Sequence, residues 1–301
     1  MSKIKISEWQ ERLTESVIDR LKTGKSWQSA FSGLAHGLPM SVASGKPYQG
    51  GNMAWLSVIA SINGFSSPKW GTFKAWKALG GMVKKGEKSA QIVSYNPVFD
   101  KHEKDEQGNP KLKYMSLRYF NVFNLDQIDI DSDKLDDAPD GHELIQNCDI
   151  NLMDYFMSDG APLLDVGRPC YIPSRDIVLL PENWVNEFGE STVAHEIIHS
   201  TGHGSRLNRD GVTQSNKFGS HEYSFEELVA ELGSLFVLSS LNGLNDQIED
   251  NSVAYIESWL KVLKDNPDWL WEAAKHASKA HEFVLDKLNQ VQHLKVANIA
   301  K

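Results

Sequence analysis

The sequence is poor in cysteine, with only Cys148 and Cys170 in 301 residues. That excludes a disulfide scaffold, a cysteine-built zinc module and a Cys-x-x-Cys redox motif, and it points to a reduced, cytoplasmic protein. No run of about 18 apolar residues occurs, so no membrane span is expected. The start, MSKIKISEWQERL, lacks an apolar h-region, so a secretory leader is not expected either. Internal repeats and low-complexity tracts are missing, which excludes repeat architectures. What remains is 41% hydrophobic and 24% charged, the balance of a globular protein with a substantial core. The length suits two domains.

Basic residues are scarce in the rear of the chain. Residues 1–125 hold 18 Lys and Arg against 9 Asp and Glu, whereas residues 126–301 hold 13 against 31. A split this large suggests that the front half meets a polyanion, or more simply that two domains of opposite charge attract each other.

The front half reads as α+β. Ser7 is placed to cap a helix running to about Thr23, with Trp9, Leu13, Val17 and Leu21 on one face. MAWLSVIASI reads as a buried helix. Thr72 can cap a short helix that Gly80 and Gly81 end. AQIVSYNPVF and YMSLRYFNVFNL are strand-like, and the polar stretch DKHEKDEQGNPKLK between them suggests a long hairpin. The acidic segment 126–140, which contains Pro139, reads as a linker. The expected division is a front domain at 1–128, a linker at 129–142 and a mainly helical rear domain with a small sheet at 143–301. In the rear, CYIPSRDIVLLP is the strand candidate, and helices are expected at 224–241, 252–264 and 267–292.

The most specific signal is TVAHEIIHSTGH, residues 192–203. His195 and His199, four apart on a helix, share one face and can aim two imidazoles at one ion. Glu196 then sits beside the ion as a general base. A catalytic zinc site needs a third protein ligand and an open position. One known arrangement places a histidine six residues after the second one, but Ser205 occupies that position and His203 is out of register. The better third ligand is Glu227 in SFEELVAELGS, with Glu226 and Glu231 as the alternatives and Glu231, one turn on, placed to hydrogen-bond the outer nitrogen of a ligating histidine. The segment RDIVLLP can supply an edge strand for an extended peptide. His203, His221 and Tyr223 are all candidates to stabilise an oxyanion.

The front half interleaves cations with rings: Lys69, Trp70, Phe73, Lys74, Trp76, Lys77, then Lys84, Lys85 and Lys88. Lysines neutralise phosphates and rings stack unpaired bases, a combination suited to single-stranded nucleic acid.

GLPMSVASGKPYQGGN, WGTFKAWKALGGMVKKGEKS and RYFNVFNLDQ resemble the N-terminal domain of the ArdC-type antirestriction proteins. HEIIHSTGHGSRLNR and FGSHEYSFEELVAELGS resemble the zincin-like metallopeptidase domain that follows it in that family. The resemblance covers nearly the whole chain. Met40 and the pair Ser44-Gly45 depart from the family pattern in one loop.

The resemblance implies a protein of a plasmid or phage in a bacterial cytoplasm. Its front domain would bind single-stranded DNA and it would protect incoming DNA from host restriction. It implies one Zn2+ ion and an unidentified host protein as peptidase substrate. It selects Lys46, Lys74, Lys84, Lys85 and Lys88 as phosphate contacts, with Tyr48 and Trp70 as stacking rings. Asn52 is placed either to cap the following helix or to touch a nucleotide, and Phe73 and Trp76 are expected in the core. Two other readings stay open: a DNA-coating protein whose peptidase domain is idle, and, more weakly, a metal-dependent phosphodiesterase.

Overall fold

The computed structural model describes residues 6–23, 26–104, 107–135, 151–158, 160–181, 184–213, 221–241 and 253–299. Helix α1, Ile6–Lys22, buries Trp9, Leu13, Val17 and Leu21 along the expected stripe. It begins one residue before Ser7, which therefore lies in the first turn and not at the cap. A short α2, Trp27–Ala30, and strand β1, Met40–Ser41, lead to α3, Gly51–Asn63, whose apolar residues are buried on nearly every side. Strand β2, Lys69–Thr72, runs into α4, Phe73–Ala78, and the Thr72 hydroxyl accepts the Ala75 N–H at 3.2 Å as expected of a cap. Gly80, at φ 81°, turns the chain out of α4 into β3, Met82–Val83.

Strands β4, Ala90–Lys104, and β5, Pro110–Asn124, form the predicted hairpin, and most of the intervening polar stretch lies within the two strands, where the register is irregular. The front sheet has the order β1-β2-β5-β4, with β1 and β2 parallel and the other pairs antiparallel. Part of the acidic segment folds with it. β6, Ile128–Asp129, pairs with β3, and the Asp126 carboxylate accepts the Ser66 N–H at 2.6 Å. Residues 136–142 of the expected linker, and Cys148, lie outside the described residues.

In the rear half the single strand expected at 170–181 is two strands. β7, Leu163–Leu164, is followed by β8, Cys170–Ile172, and β9, Ile177–Leu179, in the order β7-β9-β8. The chain reverses between β8 and β9, with Asp176 at φ 52°. This corrects the edge-strand expectation: RDIVLLP contributes the central strand, and β7 and β8 are the edges. Helix α5, Trp184–Thr201, breaks at Gly189 (φ 72°, ψ 162°) before the HEIIH segment. Then come α6, Asp210–Thr213; α7, His221–Ser240; α8, Val253–Asp265; and α9, Trp269–Ile299. Among the described residues no helix is long and apolar enough to cross a membrane.

One hydrophobic core joins the two halves. Trp9, Leu13, Trp55 and Trp70 belong to the same buried cluster as Val193, Ile197, Leu228, Phe236, Trp271 and Leu288. Trp27 stacks on Trp259 of α8 at 5.5 Å. Polar groups close the seam: the Thr14 hydroxyl donates to Pro267 O at 2.6 Å and Gly50 N–H donates to Ser278 Oγ at 2.7 Å.

His281 of α9 is 2% exposed, with Nε2 2.7 Å from Ser240 Oγ. Burial drives its pKa down to about 4, from 6.5. The unfolded chain thus takes up a proton at higher pH than the fold does. The stability this neutral imidazole contributes is fully present above about pH 6.5 and is lost as pH falls toward 4. Between pH 7 and 5 the loss is on the order of 2 kcal/mol. His281→Gln should flatten that part of the pH dependence of the urea midpoint. An unchanged slope would show that His281 is not what titrates.

Candidate metal centre and nucleic-acid surface

His195 and His199 stand one turn apart on the helical part of α5 that follows Gly189, and α7 crosses that helix closely. A Cβ on Gly233 would come within 2.9 Å of Ile198, so the absence of a side chain there permits the approach. The crossing brings Glu227 to the histidine pair. His195 Nε2 and His199 Nε2 are 3.0 Å apart. Glu227 Oε2 is 3.3 Å from the first and Oε1 is 3.5 Å from the second. Ligand atoms about 2.0–2.1 Å from a shared tetrahedral ion stand roughly 3.3 Å from one another. The three side chains therefore fit a divalent ion without rearrangement, and they form the one such group among the described residues. They remain 14–26% exposed, which leaves room for a fourth, non-protein position.

The electrostatics show how strongly the group is coupled. Burial opposes a charge on His199, but hydrogen bonds to Glu226 and Glu227 outweigh it and push its pKa up to about 10. Burial opposes a charge on His195 too, and its pKa is likewise raised, chiefly by Glu227. In return, against the effect of their own burial, Glu227 and Glu226 are held below the usual carboxylate range.

Glu196 is held from the opposite side. The Tyr171 N–H of β8 donates to Glu196 Oε2 at 2.7 Å, so the free edge of the small sheet lies against the candidate base. The turn after β8 is fastened to the end of α5. Tyr171 OH donates to Asp176 at 2.8 Å, Arg206 forms a two-pronged pair with Asp176, and Arg206 Nε donates to Ser200 O at 2.7 Å.

The sequence reading weighed Glu226 only as an alternative metal ligand, and it missed Arg209. Glu226 Oε1 lies 3.3 Å from His199 Nδ1, the contact expected of Glu231, and Arg209 grips Glu226 through two nitrogens. Glu231 lies close enough to His195 for its charge to favour the protonated ring. The spacing FEEL leaves both Glu226 and Glu227 facing the α5 side, a signal read for one ligand only. His203 Nδ1 is engaged by Ser205 Oγ at 2.8 Å and lies 3.5 Å from Asp176. The side chains of His221 and Tyr223 lie outside the described residues.

In the front half, Lys46, Lys74, Lys84, Lys85 and Lys88 are all exposed. Lys84 Nζ donates to Asp126 O at 2.8 Å. Tyr48 is half-buried against the core, and burial raises its pKa to about 12 despite a hydrogen bond with Ser41. Two expectations are exchanged. Trp70, offered as a stacking ring, is 1% exposed and packs edge-on to Phe65, so no base can reach it in this structure. Phe73, expected in the core, is 48% exposed at the start of α4. Trp76 is buried as expected, donating its indole N–H to Phe123 O at 3.0 Å. Asn52 neither caps α3 nor faces outward, because its amide brackets Val93, donating to its O and accepting from its N–H. Exposed rings on the hairpin, Tyr114 and Phe120 with Arg118 between them, went unread, although the alternation in YMSLRYF places them on one face.

Comparison with known proteins matches the same two regions. Residues 7–123 fit the model of the N-terminal domain of the anti-restriction factor ArdC, and residues 155–276 fit that of a zincin-like metallopeptidase. Two crystal structures of the antirestriction protein ArdC from plasmid R388, one metal-free and one with Mn(II) bound, are similar in fold. Their TM-scores are 0.69 and 0.68 at 30% identity, over 93% of this chain and 97% of theirs. An Escherichia coli DNA primase TraC is 32% identical over 91% of this chain, a second is 30% identical over 91%, and the chain spans only 20% and 27% of their lengths. The uncharacterized protein y4eC of Sinorhizobium fredii is 29% identical over 96% of this chain and 95% of its own. With its two family regions in order and full-length likeness to a solved ArdC, the chain belongs to the ArdC antirestriction family.

Proposed function

We propose that this protein is a bifunctional antirestriction factor of a mobile element, pairing a single-stranded-DNA-binding front domain with a zinc-dependent peptidase. The observation that carries the enzymatic half is the triangle of His195 Nε2, His199 Nε2 and the Glu227 carboxylate, spaced as the edges of a tetrahedral site beside Glu196. When bound, a divalent ion there, with zinc the natural choice for two imidazoles and a carboxylate, polarises a scissile carbonyl and acidifies water. Glu196, oriented by the Tyr171 N–H, takes the proton of the attacking water and returns it to the leaving amine. The outer edge of β8, whose Tyr171 N–H is given to Glu196 and whose Pro169 and Pro173 carry no N–H, offers carbonyls only to an extended segment of the substrate, a host protein in the bacterial cytoplasm. Metal-stripped protein should cleave an unfolded protein substrate only after Zn2+ is restored. Cleavage that persists under chelation would end this reading.

For the front half, the support is the exposed lysine set of Lys46, Lys74, Lys84, Lys85 and Lys88 together with the open ring of Phe73, which precedes Lys74 in the chain. Tyr48, two residues after Lys46, is half-buried. Binding to single strands should exceed binding to duplex and fall steeply with salt. Replacing Lys84, Lys85 and Lys88 together by alanine should reduce the log–log salt slope by about 2. Phe73→Ala should weaken binding by roughly 5- to 150-fold with little change in that slope. Equal affinity for both DNA forms would refute the stacking account.

A further inference from the structure

The stretch GHGSRLNR directly after the HEIIH helix supplies no metal ligand, yet it is wrapped tightly around the site. Arg209 is buried, its side chain 5% exposed, against a Glu226 side chain that is also 5% exposed. Its guanidinium spends its donors on four acceptors. Nε meets Glu226 Oε2 at 2.9 Å, Nη2 meets Glu226 Oε1 at 2.6 Å and Ile198 O at 2.7 Å, and Nη1 meets Thr201 Oγ1 at 2.7 Å. Glu226 Oε1, held in that fork, is the atom that faces His199 Nδ1 at 3.3 Å. Gly202 makes the space: a Cβ there would lie 2.9 Å from Arg209 Nη2 and 2.5 Å from Val212 Cγ2.

We propose that Arg209 and Glu226 form a buried clamp that orients His199 for metal capture, with Gly202 as the opening that admits the guanidinium. This deepens the metal-site reading and rests on it. A neutral imidazole offers one lone pair. Nε2 faces the ion only if the ring proton sits on Nδ1, and an acceptor fixed opposite Nδ1 holds both the tautomer and the ring angle. The Arg209 fork sets the plane of that carboxylate, which a single contact would leave free to rotate. Helix termination alone does not account for the arrangement. The Ile198 and Thr201 contacts serve the helix end, but a buried ion pair adds little net stability over apolar residues of similar volume. Glu226 and Arg209 are positioning residues, because neither touches the ion or the reacting atoms.

The test is made on the full-length, metal-stripped chain titrated with Zn2+ in competition with a chromophoric chelator. In an Arg209→Met background, Glu226→Gln keeps an acceptor for His199 Nδ1–H, and Glu226→Leu removes it. Both are neutral and of similar volume, so a purely structural role would affect them alike. The leucine form should bind Zn2+ about 10- to 100-fold more weakly than wild type, and the glutamine form should recover part of that loss, the remainder being the contribution of the missing Arg209 fork. The thermal midpoints of the two metal-free variants should agree within a few degrees. Equal Zn2+ affinity in the two variants would overturn the clamp while leaving the metal site standing, and a wild-type chain that takes up no Zn2+ would overturn both. If the Arg209→Met background does not fold, Gly202→Ala probes the clamp by pushing the guanidinium off Glu226. A several-fold loss of Zn2+ affinity is expected, and unchanged affinity in a folded Gly202→Ala chain would overturn the proposal.

Discussion

Glu196→Gln should leave the fold and Zn2+ uptake intact and lower the peptide-hydrolysis rate by about 10²- to 10⁴-fold, the usual contribution of a general base. The two parts of this expectation have separate causes. The amide has the volume of the carboxylate, and its oxygen can keep the Tyr171 N–H, which now reaches Glu196 at 2.7 Å. None of the three metal-facing side chains, His195, His199 and Glu227, is altered. What disappears is the carboxylate next to His195 that meets the β8 edge, the group the proposed mechanism uses as its base. Assaying the same variant for protection of incoming DNA then separates the two halves of the protein. Protection lost with DNA affinity unchanged would tie antirestriction to proteolysis. Protection retained would assign it to DNA coating, with the peptidase acting elsewhere. A hydrolysis rate equal to wild type would remove Glu196 from the mechanism altogether.

Periodicity and local chemistry were readable in the sequence wherever one element carried the whole signal. The stripe Trp9, Leu13, Val17, Leu21 is a property of one helix, and the Thr72 cap is settled within three residues. The histidine pair is a matter of one turn, whereas the spacing of α7 alone does not choose Glu227 over Glu226, and the crossing with α5 does. Where the outcome depended on which surface another element covers, composition had nothing to say. Trp70 and Phe73 lie three residues apart in the same basic-aromatic run. Only the pairing of Trp70 with Asn124 across the sheet, and the start of α4 at Phe73, decide that the first ring is enclosed and the second is open. RDIVLLP has the look of an edge strand until the reversal at Asp176 adds β8 beside it. The Arg209–Glu226 pair joins residues 17 positions apart on different elements, and no spacing rule reaches that far. Buried polar contacts between elements are thus the part of the site that a one-dimensional pattern hides.

The joint between the halves makes the other large prediction. Gly51 opens α3, and a Cβ there would lie 2.2 Å from two carbons of the Trp271 ring, itself 2% exposed at the start of α9. An indole enclosed on all sides has no rotamer into which to retreat. Gly50 cannot yield easily either, since its N–H is bound to Ser278 at 2.7 Å and its φ is 57°. Gly51→Ala should therefore sit at the severe end of overpacking, about 3 kcal/mol, and lower the melting temperature by about 5 °C. Because the buried cluster runs without a break from Trp9 through Trp271 to Ile197 beside the metal-facing histidines, the loss should be felt by both halves at once. Calorimetry of the zinc-loaded variant, with zinc release followed by a dye, should show one transition in which tertiary structure and metal are lost together. Two transitions, with the zinc-releasing one unmoved, would mean that the seam joins the halves without coupling their stability. The candidate metal site would then be free to keep its ion when separated from the front half.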